Sequence, residues 1–214
     1  TRPCMYDYHR IFVLGRHADD GELGCGGTIA SFVEEGREVY YATFSACEES
    51  VPEGFHQEVL LDEWKEASRV LGIPGENLHS FRFQVRYFPR DRQLILEDMV
   101  QLNKLLNPDV VILPRAQDVH QDHGVIHKEG IRAFKNSTLL GYELPWNSLL
   151  FHSNFHVKLM RKHIETKIKA ISCYESQEFR SYIDEEFILG LARTRGIQIN
   201  EEFAEAFTLI RGIM

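Results

Sequence analysis

Between Arg10 and Leu113 the chain alternates four short, apolar, β-rich runs with three segments of helical periodicity, and this alternation constrains the fold more than any other feature. Arg10 to Gly15 (R-I-F-V-L-G) reads as a buried strand, and Gly26 to Glu35 then reads as a helix stopped by Gly36. Glu38 to Phe44 is the second strand. Phe55 to Leu71 places Val59, Trp64, Ala67, Val70 and Leu71 at helical spacings before Gly72 and Pro74. A third strand is expected at Leu78 to Phe83, a third helix across Arg90 to Leu106, and a fourth strand at Val110 to Leu113, entered through Asn107-Pro108-Asp109. Strands separated by helices pair in parallel through right-handed crossovers, so the expected fold is α/β: Rossmann-like, with a mostly parallel twisted sheet and helices on both faces. Past Asp122 the pattern loosens into a helix to about Phe134, a strand at Leu139 to Glu143, helices across His163 to Tyr174 and near Ile183 to Arg195, and an apolar ending from Ala206 to Ile213.

A length of 214 residues fits one domain, and no linker, repeat or low-complexity tract divides it. We expect residues 1–135 to form the Rossmann-like half and 136–214 to complete the sheet and a pocket. The balance of 24 basic against 32 acidic residues, a formal charge of −8, argues against nucleic acid or an anionic membrane as partner. No apolar run approaches the ~20 residues of a spanning helix, and the segment from Thr1 to Tyr6 lacks the apolar stretch of a signal peptide, so a soluble, cytoplasmic chain is expected. Cys4, Cys25, Cys47 and Cys173 form no C-x-x-C pair, which points to reduced thiols rather than a disulfide framework or a zinc ribbon.

Two polar clusters directly follow apolar strands: Arg16-His17-Ala18-Asp19-Asp20-Gly21-Glu22 and Asp118-Val119-His120-Gln121-Asp122-His123. In a parallel sheet both open onto the carboxyl edge, where ligands bind. Together they offer three His and four Asp, a set suited to a catalytic zinc site with an open position. Such donors also suit other divalent ions, so Fe2+, Co2+ or Mn2+ are alternatives. Either cluster alone could merely cap a helix or shape a turn. Gly24-Cys25-Gly26-Gly27 offers a rival reading as a dinucleotide-binding turn, but its spacing is not G-x-G-x-x-G, and the second strand ends without the acidic residue a ribose requires. These glycines are expected to turn the chain tightly and bring a helix N-terminus near the site.

The clusters resemble the PIG-L/LmbE family of metal-dependent N-deacetylases, which carries H-P-D-D-x-E after the first strand and H-x-D-H later; here the motifs stand as H-A-D-D-G-E at His17 to Glu22 and H-Q-D-H at His120 to His123. G-C-G-G-T-I-A after the first motif, E-W-K-E-A-S-R-V-L-G-I at Glu63 to Ile73, N-P-D-V-V at Asn107 to Val111 and Y-E-S-Q at Tyr174 to Gln177 extend the resemblance over nearly the whole chain. It implies that His17, Asp20 and His123 bind zinc and that Asp19 is the general base for the attacking water. It further implies that His120 is a protonated donor to the oxyanion, with Asp122 holding its ring and raising its pKa. Glu22 matches the motif and either touches substrate or anchors the loop, the structural role being favoured.

Two positions depart from the family pattern. Ala18 replaces the usual Pro, and Arg16 stands where a small residue is more common, so that Arg16 either pairs with an acidic neighbour or contacts an anionic substrate. The remaining histidines, among them His127, match no ligand position. The resemblance implies a small-molecule substrate, an N-acetylated amino sugar such as an N-acetylglucosamine conjugate, a sugar nucleotide or a polysaccharide precursor, and family members often form homo-oligomers. Trp146, in Gly141 to Asn147, suits stacking on a sugar or, equally, packing at a Pro turn. Arg82, Arg86, Arg90 and Arg92 offer phosphate recognition or plain surface pairing. The competing functional readings are a zinc amidohydrolase acting on a non-sugar acylated amine and a non-catalytic or dinucleotide-binding Rossmann-like protein.

Overall fold

In the computed structural model, which describes residues 8–148, 150 and 152–213, the hydrophobic alternation along the strands sorts side chains onto two faces of one sheet. On β1 (Arg10–Gly15), Ile11 and Val13 enter one apolar cluster while Phe12 and Leu14 enter the other. On β4 (Val110–Pro114), Val110 and Ile112 separate from Val111 and Leu113 in the same way. Both faces are therefore covered, as continuous apolar runs in central strands require.

Chain order gives α1 (Asp20–Glu34), β2 (Glu38–Thr43), α2 (Val59–Val70), β3 (Leu78–Ser80), α3 (Phe88–Leu106) and then β4. After β4 come α4 (Gln121–Ala133), β5 (Thr138–Tyr142), β6 (Phe155–Leu159), α5 (Arg161–Ile171), α6 (Glu185–Ile197) and β7 (Phe203–Arg211). Among the described residues the sheet has seven strands in the order β3-β2-β1-β4-β5-β7-β6. The first five pair in parallel, and β7 runs antiparallel to both β5 and β6. Helices α1, α2, α5 and α6 cover one face and α3 and α4 the other. Winding proceeds outward from β1 to β3 and then returns to β4 on the other side of β1, so the switch in direction lies between β1 and β4. Both polar clusters leave the carboxyl ends of these two adjacent strands, at the crevice where doubly wound sheets bind ligands.

Several elements differ from the sequence reading. Helix α1 starts at Asp20 rather than Gly26, so Gly24, Gly26 and Gly27 lie inside a helix and form no turn. A Cβ at Gly24 would meet Tyr142 Cδ2 at 2.5 Å, and one at Gly26 would meet Lys167 Cγ at 2.9 Å, so these glycines serve close helix packing. That leaves no phosphate-binding loop among them. The helix kinks at Cys25 (φ −151°, ψ 24°), and a buried ion pair fills the break. Lys167 Nζ donates to Leu23 O and to Glu205 Oε1, each at 2.7 Å, while Gly27 N–H and Thr28 N–H donate to the Glu205 carboxylate at 3.0 and 2.7 Å.

The strand β6 had no counterpart in the sequence reading. Its F-H-V-K-L alternates but is only half buried, a weak signal for an edge strand. Strand β3 stops at Ser80, although Phe81 and Phe83 N–H still bond Thr43 and Phe44 carbonyls and their rings stack with Phe44. No helix among the described residues is long and apolar enough to cross a membrane. Cys25, Cys47 and Cys173 are unpaired, and Cys4 and the segment from Thr1 to Tyr6 lie outside the described residues.

Candidate metal centre and its cleft

The first cluster occupies the β1–α1 connection, and buried tyrosines fix its backbone. Tyr41 on β2 receives the Gly21 N–H at 2.8 Å and lies 2.9 Å from Glu22 Oε2. The Ala18 carbonyl accepts from Tyr41 at 3.1 Å and from Tyr174 at 2.7 Å. The restraint that a proline at position 18 would give is thus supplied by hydrogen bonds. Glu22 is fully buried beneath the loop and lies outside the lining of the cleft. Burial pushes its carboxyl up to about 8, so it is neutral at pH 7 and acts as part of this clamp.

His17, Asp19 and Asp20 each present a donor atom within 4.8 Å of one another. Asp20 is buried, receives the His17 backbone N–H at 2.7 Å, and approaches His123 Nε2 at 3.1 Å. The His123 ring, fully buried, is held from its other nitrogen by Asp118 Oδ2 at 2.5 Å. That carboxylate–histidine arrangement orients ligating imidazoles and raises their basicity. The sequence placed Asp118 in the second cluster without a role. Its position five residues before His123, on the loop that enters α4, was the available signal.

The rings of His17, His120 and His123 lie close together, with centroids 5.6 to 6.4 Å apart. Buried His17 Nε2 has no hydrogen-bond partner, and it becomes a ligating nitrogen once Arg16 gives up its contact with Nδ1 and the ring proton moves there. Two imidazoles and a carboxylate with one ring locked by Asp118 fit a borderline divalent ion. The chain's own cation also stands among these donors: Arg16 Nη2 contacts His17 Nδ1, and Arg16 Nε lies 4.0 Å from Asp20 Oδ2.

Adjacent carboxylates diverge in their ionisation. Burial and the Asp20 charge raise Asp19 to about 6. Burial acts the same way on Asp20, but the charge and hydrogen bond of His123, with Arg16, outweigh it and hold Asp20 well below the usual range. Burial lowers His123 as well, yet Asp20 and Asp118 raise it on balance. Burial and Arg16 depress His17. Burial raises the Cys47 thiol, which leaves it protonated and no nucleophile.

His120 differs from the sequence expectation. Its Nδ1 caps α4 by accepting the Asp122 backbone N–H at 3.2 Å, so Asp122 does not hold the ring through its carboxylate. Burial and Arg16 lower His120 to about 4, making a neutral ring whose proton sits on Nε2. The Asp122 carboxylate instead accepts the Arg86 backbone N–H at 2.6 Å, and Gln121 Nε2 donates to the Arg86 carbonyl at 2.5 Å.

A cleft of about 260 Å³ opens over Asp19, His17 and His120. Its wall carries Trp146, 37% exposed and stacked on Tyr182 with centroids 4.0 Å apart at 8°. Val119 N–H bonds Asn147 O at 3.0 Å and ties this wall to the second cluster. Of the four arginines noted in the sequence, Arg82 pairs with Glu48 and Glu58, Arg90 with Asp91 and Arg92 with Glu129, while Arg86 lines the cleft. Gln177, Arg180 and Tyr182 also line it; Gln177 ended the Y-E-S-Q stretch without an assigned role, and nothing in the local sequence of Arg180 and Tyr182 announces a cleft. His127, bonded through Nδ1 to Pro114 O at 2.8 Å, is a packing residue.

A family model described as GlcNAc-PI de-N-acetylase, PIG-L, matches residues 12–134, which contain both clusters. A protein of Escherichia coli K12 named as the uncharacterized deacetylase YaiS is 26% identical over 176 residues, covering 78% of this chain and 90% of its own. The N,N'-diacetylchitobiose deacetylase of Pyrococcus horikoshii, solved with an inhibitor, superposes with a TM-score of 0.79 at 22% identity, covering 95% of this chain and 84% of its own. The 4-carboxy-2-hydroxymuconate hydratase GalB of Pseudomonas putida KT2440 superposes with a TM-score of 0.76 at 17% identity, covering 96% and 97%. These two structures share the fold.

Proposed function

The chain belongs to the PIG-L family, and from that membership and the geometry of its site we propose that it is a metal-dependent N-deacetylase releasing acetate from an N-acetylated amino sugar. The observation that carries the reading is the geometry of the pair Asp19 and Asp20: Asp20 lies 3.1 Å from His123 Nε2 and, with Asp19, within 4.8 Å of a His17 donor atom, while Asp19 lines the cleft and Asp20 does not. Proton transfer and ligation are thereby divided. In this reading His17, Asp20 and His123 would hold a divalent ion, for which we propose zinc, although the same donors also suit Fe2+, Co2+ or Mn2+. When bound, such an ion lowers the pKa of water to about 7 and polarises an amide carbonyl.

Asp19 then takes the proton of the attacking water, being ionised at pH 7, and returns it to the departing amine. His120 donates from Nε2 to the developing oxyanion as a neutral imidazole, and Asp118 keeps His123 in its coordinating orientation. Asp122 serves the loop around Arg86. Trp146 and Tyr182 form an aromatic wall suited to the apolar face of a sugar ring. The cleft volume lies near the lower end of the ~300–1,000 Å³ usual for small ligands, which suits one ring with its conjugate projecting outward. The reading takes the chain as one domain, and it is supported by β6 and β7 joining the same sheet and by Gln177, Arg180 and Tyr182 meeting the first cluster in one cleft.

The test is acetate release from a panel of N-acetylglucosamine conjugates and non-sugar acetamides, by protein stripped with a chelator and then resupplied with zinc. We expect release that is lost on stripping, restored by the ion and confined to the sugars. Release from simple acetamides at equal efficiency would favour the non-sugar amidohydrolase, and release unaffected by stripping would refute the metal role.

A further inference from the structure

The cleft is cationic in a chain whose formal charge is −8. Among its described lining residues Asp19 is the one carboxylate, whereas Arg16, Arg86 and Arg180 bring three guanidinium groups. Arg16 is 5% exposed; its Nη1 makes no hydrogen bond, and its Nε has only the long ion pair to Asp20 at 4.0 Å. Leaving a buried donor unmatched is costly, and an incoming acceptor would remove that cost. Arg86 adopts φ +73°, a left-handed conformation uncommon for a non-glycine residue, and it is pinned there by Asp122 and Gln121 of the second cluster. Strain retained at a cleft residue, with a buried carboxylate committed to holding it, indicates that the placement of Arg86 matters to the site. Arg180 is oriented by Gln177 Oε1 at 2.8 Å and lies beside the Trp146 and Tyr182 stack. The other arginines of that region are consumed by ion pairs, Arg82 and Arg90 at the surface and Arg92 with the buried Glu129.

We propose that the cleft contains an oxyanion subsite, formed by Arg16, Arg86 and Arg180, that recognises a phosphate or carboxylate carried by the substrate beside its acetamido group. This rests on the deacetylase reading for the acetamido half, whereas the anion half stands on the arginines alone. Planar guanidinium forks match the paired oxygens of either group, so the shared chemistry is the oxyanion.

The experiment measures calorimetric binding to Asp19→Asn protein of four probes: methyl N-acetylglucosaminide, N-acetylglucosamine 1-phosphate, its uridine diphosphate conjugate and N-acetylmuramic acid. The charged probes are expected to bind at least about tenfold tighter than the neutral glycoside, and their affinity alone should fall between low and high salt. Arg86→Ala or Arg180→Ala should each shrink that preference about tenfold, Asp122→Ala should shrink it through Arg86, and Arg90→Ala should leave it unchanged. Arg86→Gln and Arg180→Gln serve where an alanine variant does not fold. The ranking of the phosphate probes against N-acetylmuramic acid tells which oxyanion is read. Equal affinity for the neutral glycoside, or a preference that survives both Arg86→Ala and Arg180→Ala, overturns the subsite. Acetate release by the parent separates the two claims. Equal turnover of neutral and charged probes removes the subsite and leaves deacetylation standing; preferential binding with no acetate released leaves the subsite and removes deacetylation.

Discussion

Replacing Lys167 by Met tests whether the buried ion pair inside the kink of α1 stabilises the fold. Lys167 and Glu205 are 5% and 6% exposed, so solvent screening does not dilute their interaction. The substitution strips the counter-charge from Glu205 and the donor from Leu23 O. Removing one partner of a buried pair costs about 3–5 kcal/mol, and because Gly27 and Thr28 N–H still bond Glu205 the lower end applies. For a chain of this size each kcal/mol moves Tm by about 2–4 °C, so a fall on the order of 10 °C is expected. Lys167→Met with Glu205→Leu removes the buried charge altogether and frees Gly27 N–H to bond Leu23 O if the helix straightens, so the double variant should lose less than the sum of the two single ones. Thermal and urea unfolding of the four proteins closes the cycle. A Lys167→Met loss under about 1 kcal/mol, or strict additivity, would refute a stabilising ion pair in the kink.

Two further substitutions probe the site without touching the proposed ligands. Asp118→Ala should weaken zinc affinity by about 10–100-fold through the freed His123 ring, as read by chelator competition, and unchanged affinity would remove Asp118 from the assembly. Glu22→Gln addresses a carboxyl whose folded pKa of about 8 exceeds its ordinary 4.5. Between these values the unfolded chain releases a proton that the folded chain keeps, so the parent loses stability as pH rises through that window and no further above it. The Gln variant should gain on the parent between pH 5 and pH 8 in urea midpoint; a constant difference would show that Glu22 is not held neutral.

The parallel core was legible because its strands are apolar on both faces and its helices amphipathic, and the clusters after β1 and β4 stood out because His and Asp crowd the ends of apolar runs. Other parts depended on distant partners. The start of α1 was hidden because Gly24, Gly26 and Gly27 read as a turn, and only Tyr142, Lys167 and Glu205, far along the chain, make them helical. The family resemblance implied that Asp122 orients His120, yet the backbone at the α4 N-terminus directs its carboxylate to Arg86 and leaves Asp118 to orient His123. Arg180 and Tyr182 could not be placed from sequence, since they reach the cleft by tertiary packing of the segment after α5.

The central claim is that Asp19 moves the proton while its neighbours hold the ion, and the most direct measurement pairs zinc content with acetate release in Asp19→Asn. Loss of a positioned acid–base group costs about 10²–10⁴ in rate. The variant is expected to retain stoichiometric zinc and lose kcat/KM for an N-acetylglucosamine conjugate by that factor, whereas near-parental acetate release from the zinc-loaded variant would contradict the account.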